Sequence, residues 1–145
     1  MTTKEKEKVL VETLRSWQHI ENSSVAQTAQ IMDKTENPLI RMVMDIIQRD
    51  SAMHHRIQQF IIDSIEQRSV TVSPEDLGKV WDAIEVHIES EKKVQALVDR
   101  SLEALKGTKN VLAQYLVAYL GQDEGTHDKL LEDLALIKRG MFKSP

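Results

Sequence analysis

Asp50 and His54, His87 and Glu91, and Asp123 and His127 form three acid–histidine pairs at a spacing of four residues, and their order alternates along the chain. Four residues is little more than one helical turn, so on a helix each pair shares a face. If successive helices run antiparallel, the alternation places the acids at one level and the histidines at the next. Such layering is how a helical bundle assembles a metal site in its interior. No other feature constrains the chain as tightly.

Composition agrees with helices. The 145 residues are one domain's worth, 41% are apolar, and only five glycines and three prolines interrupt a chain rich in Leu, Ile, Glu, Lys and Gln. A net charge of −4 without a dense Lys/Arg patch argues against a nucleic-acid surface. The absence of cysteine excludes disulfides, iron–sulfur clusters and thiolate zinc sites. The start of the chain (Lys4, Glu5, Lys6, Glu7, Lys8) is charged, with no apolar run suited to a signal peptide, and residues 111–122 are too short to span a bilayer. The expectation is a soluble cytoplasmic protein with no membrane partner. Its surfaces are compatible with a homo-oligomer but do not call for one.

Periodicity of 3.6 divides the chain into four helices, at about 3–33, 38–67, 74–106 and 109–139, forming a single domain over 1–145. The apolar stripes run through Leu10, Leu14, Trp17, Glu21, Val25 and Thr28; Val43, Ile47, Asp50, His54 and Ile57; Ile84, His87, Glu91, Val94 and Val98; and Leu116, Leu120, Asp123, His127 and Leu131. Asn37-Pro38 and Ser73-Pro74-Glu75-Asp76 read as helix starts, and Gly107 and Gly140 as stops. The link between the second and third helices is too short to travel back along a helix of on the order of 45 Å. The fold class expected is therefore all-α, an antiparallel up-down-up-down four-helix bundle.

Counting inward from each turn puts Glu21, Asp50, Glu91 and either Asp123 or Glu124 at one depth, and His54, His87 and His127 at the next. The mismatches are below about 2 Å at the helical rise. Crowded carboxylates in a low-dielectric interior must take up protons or share a cation. Oxygen and imidazole ligands without thiolate suit iron, manganese or zinc. Six or seven candidates serve two ions better than one, so a di-iron or iron–manganese centre ranks first. The alternative is a metal-free structural or interaction bundle whose buried polar layer fixes register.

With these residues the chain resembles the ferritin-like superfamily of carboxylate-bridged dimetal bundles, rubrerythrin in particular. Glu124-Gly125-Thr126-His127 matches the family's Glu-x-x-His, Glu91 (or, less well, Glu89) the lone glutamate of the preceding helix, and Glu21 that of the first helix. The other Glu-x-x-His is degenerate: Ser51 stands three residues before His54, and Asp50 is the nearest acid. The halves resemble a worn repeat, His19-Ile20-Glu21 echoing His87-Ile88-Glu89. The resemblance implies iron, bound at Glu21, Asp50, His54, His87, Glu91, Asp123, Glu124 and His127, and a non-haem di-iron oxidase or peroxidase, or a protein of iron handling. The short second connection departs from that family and is similar to hemerythrin, whose His-x-x-x-His is absent here. Gly121 and Gly125, inside the last helix, either admit a close neighbour or present the acids between them.

Overall fold

The computed structural model describes residues 1–140, in which the only regular structure is helical. The chain divides into two compact units, Met1–Val70 and Thr71 onward. No helix among the described residues is long and apolar enough to cross a membrane.

The first unit is a hairpin of α1 (Thr3–Asp33) and α2 (Pro38–Glu66). Thr2 and Glu5 form a capping box: the Thr2 hydroxyl accepts from the Glu5 amide at 3.2 Å, and the Thr2 amide donates to the Glu5 carboxylate at 2.6 Å. The Asn37 side chain accepts from the amides of Leu39 and Ile40, and Pro38 occupies the first helical position, where a missing N–H costs nothing. Arg41 closes the turn by donating to the Met32 carbonyl at 2.6 Å. At the open end Arg15 pairs with Glu66 at 2.6 Å. So short a turn forces the helices antiparallel.

The seam of this hairpin is apolar at its open end, where Val11, Leu14 and Ile62 pack with Ile61 and Ile65. Farther in it becomes polar, with Gln18, Glu21, Thr28, Ser51 and Gln58 all buried. Gln18 donates to the Gln59 side chain and to the His55 carbonyl, and Ser51 donates to Ser24 at 2.9 Å. The seam is thus rotated by about one residue from the most apolar stripe of α1. Leu10, Trp17 and Ile20 lie exposed beside it rather than within it.

The second unit contains α3 (Pro74–Gly78), α4 (Trp81–Leu105) and α5 (Val111–Lys138). The single helix expected over 74–106 is broken. Ser73 and Asp76 cap α3 reciprocally, but after Gly78 the backbone leaves the helical region at Val80, and α4 begins there without a side-chain cap. Leu77 is buried, and α3 packs on both α4 and α5. Gly107, at φ +73°, supplies the left-handed residue that ends α4, and Asn110 caps α5 by accepting from the Ala113 amide. Gln114 ties the turn by donating to the carbonyls of Leu105 and Thr108. At the far end the Lys138 ammonium lies 5.0 Å from the Trp81 ring centre, as an antiparallel pair requires. At Gly121 the two helices approach closely: a Cβ there would meet Val98 Cγ1 at 3.0 Å.

Candidate metal centre

Next to that close approach, one turn along α5 and two along α4, the two helices bring four ionisable side chains together. His87 and Glu91 share a face of α4, and His87 Nε2 lies 2.9 Å from Glu91 Oε1. Glu124 and His127, three residues apart on α5, face them. His127 Nδ1 is 3.9 Å from Glu91 Oε1 and 3.7 Å from Glu124 Oε2. One ligand atom each from Glu91, Glu124 and His127 lie within 4.8 Å of one another. The two separations from His127 exceed hydrogen-bond length, and the three residues together could hold an ion. On the other side of the His127 ring, Asp123 lies 3.7 Å from Nε2. That contact is longer than a hydrogen bond, and it leaves Nδ1 as the nitrogen on the side of Glu91 and Glu124.

The electrostatics of the carboxylates are unusual for a protein surface. Glu91 is only 8% exposed and Glu124 is half-buried, while His87 and His127 remain open to solvent. Oε2 of Glu91 and Oε2 of Glu124 are both shielded from solvent without a protein donor. The hydrogen bond open to these groups is with each other, and it requires a proton on one of them. That shared bond is the largest cause raising the Glu124 pKa, followed by desolvation and the Glu91 charge; His127 and His87 oppose the shift. Two carboxylates competing for one proton present a donor set that a divalent cation satisfies better, because it neutralises both. The residues therefore fit a metal.

The first hairpin holds a smaller group. Glu21, buried on α1, lies 3.4 Å from His54 Nδ1 on α2. Asp50 lies exposed on α2 and belongs to no metal-competent group among the described residues; the buried position beside it is Ser51. Glu89 is exposed and paired with Lys92 at 2.9 Å, so Glu91 is the glutamate that α4 contributes. The polar seam also includes Gln18, Ser24 and Gln58, which no sequence motif marks. Their helical spacing is the only signal of it, because uncharged side chains on an amphipathic helix resemble ordinary surface. No protein-family model matches the chain, and no curated protein or solved structure matches it either, so the site rests on its own geometry.

Proposed function

We propose that the chain is a helical metal-binding protein whose centre is seated on Glu91, Glu124 and His127, with His87 at its margin and Asp123 orienting His127. The observation that carries this reading is the pair of solvent-shielded carboxylate oxygens without donors, beside an imidazole nitrogen at a distance an ion would span. Oxygen and nitrogen ligands favour iron first, with manganese and zinc as alternatives. A bound redox metal would supply oxygen or peroxide chemistry, or serve iron handling. The chain's own part is to hold the carboxylates ready and to aim His127.

On the same reading the two hairpins combine as a ferritin-like antiparallel four-helix bundle. Support comes from the apolar side chains each leaves uncovered, Trp17, Ile20, Ile57 and Phe60 in the first and Val86, Leu97 and Leu130 in the second.

A second reading, a metal-free interaction bundle, is favoured by two uncharged side-chain pairs, Gln18–Gln59 and Ser24–Ser51, which bridge α1 and α2 without any ion. Elemental analysis of protein purified without chelators or metal-affinity tags separates the two. A stoichiometric transition metal, lost in E124A, supports the first; metal-free protein that also fails to take up added iron, manganese or zinc supports the second.

A further inference from the structure

Several positions of the two hairpins correspond at a fixed interval. On the first helices, Glu21 corresponds to Glu91, and at the same interval Leu14 corresponds to Ile84 and Thr28 to Val98, all of them buried except Ile84, which is half-buried. On the second helices, Asp50 corresponds to Asp123, Ser51 to Glu124 and His54 to His127, again at one interval. The contacts repeat as well: in both units the histidine of the second helix turns Nδ1 toward the buried glutamate of the first, at 3.4 Å from Glu21 and 3.9 Å from Glu91. The repeat suggested by His19-Ile20-Glu21 and His87-Ile88-Glu89 is thus out of register by two residues, since it would align buried Glu21 with exposed Glu89.

Against this correspondence one ligand position differs. Where the second hairpin carries Glu124, the first carries Ser51, buried and donating to Ser24, which itself stands where the second hairpin has Val94. A hydroxyl pair satisfies itself and carries no charge, whereas the carboxylate pair demands a cation or a proton. We infer that the first hairpin is a second copy of the metal site disarmed by Ser51, so that each chain holds one ion in its second hairpin and would hold two if position 51 were a carboxylate. This rests on the metal reading of Glu91, Glu124 and His127.

The test is equilibrium dialysis of the full chain against Mn²⁺, with bound metal counted per chain and helicity followed by circular dichroism. Wild type is expected to hold one equivalent, S51E two, E124S none, and the double variant S51E/E124S one, now in the first hairpin. If wild type holds one and folded S51E still holds one, the inference is overturned and the metal reading stands. If wild type holds none, the metal reading fails and the inference, which rests on it, falls with it. Should S51E fail to fold, S51D offers the same charge on a shorter stem, and undiminished binding by E124S would overturn the inference without either.

Discussion

The carboxylates of Glu91 and Glu124, projecting from neighbouring antiparallel helices, face each other with one oxygen apiece shielded from water and unmatched by any protein donor. That arrangement is costly for two anions and favourable for two anions with a proton or a metal between them. Most of what can be tested in this protein follows from it.

Ligand substitutions should divide sharply by position. E124A and H127A are expected to abolish stoichiometric metal uptake while leaving helicity intact. D123N, which weakens the carboxylate facing His127 Nε2, should reduce affinity by about 10–100-fold. D50A and E89A, at exposed positions, should leave uptake unchanged. Dialysis against Mn²⁺ measures all five.

The raised pKa of Glu124 makes the stability of the metal-free protein depend on pH. Its carboxyl binds a proton more readily in the fold than in the unfolded chain. The stabilising contribution is therefore complete below the unfolded carboxyl pKa and is lost as pH rises through the raised folded value. Urea melts compared between wild type and E124Q should show that slope in wild type and its absence in the variant. Metal binding in the same window should release protons, measurable in unbuffered titrations.

Gly121 and Gly125 should respond oppositely to alanine. At Gly125 an added Cβ meets nothing within 4 Å, so G125A should gain the helix propensity that glycine forfeits, about 1 kcal/mol. At Gly121 the Cβ would meet Val98 Cγ1 at 3.0 Å, so G121A should gain nothing or lose stability unless V98A is added. Chemical denaturation of the three variants checks the contrast.

Gln58 is 3% exposed, and its side-chain oxygen has no donor. It lines a largely apolar cleft of about 220 Å³ with Leu14, Trp17, His54, Ile57 and Ile61. Replacing an unsatisfied buried acceptor by an apolar side chain removes a desolvation cost of about 1–3 kcal/mol. Q58L should accordingly stabilise the protein, read as a higher denaturation midpoint.

Helix boundaries were legible in the sequence where a cap or a left-handed glycine marks them, as at Asn37-Pro38, Ser73-Pro74 and Gly107. The break after Gly78 was not, because one glycine costs a helix only about 1 kcal/mol and cannot decide its course alone. The histidine–acid pairs could be read because a spacing of four fixes a shared face. Which side of each helix turns to its partner could not, since Leu10 and Trp17 compete with Val11 and Gln18 on adjacent faces and the apolar set is the less buried. The same ambiguity sets Asp50 on the periodic stripe of α2, although the buried position is Ser51.

The most direct test is an anomalous difference map from crystals of the protein soaked in Mn²⁺. The account predicts a peak bounded by Glu91, Glu124 and His127, with ligand atoms drawn in to about 2.1 Å. Full-strength peaks elsewhere, with no peak among those three side chains, would contradict it.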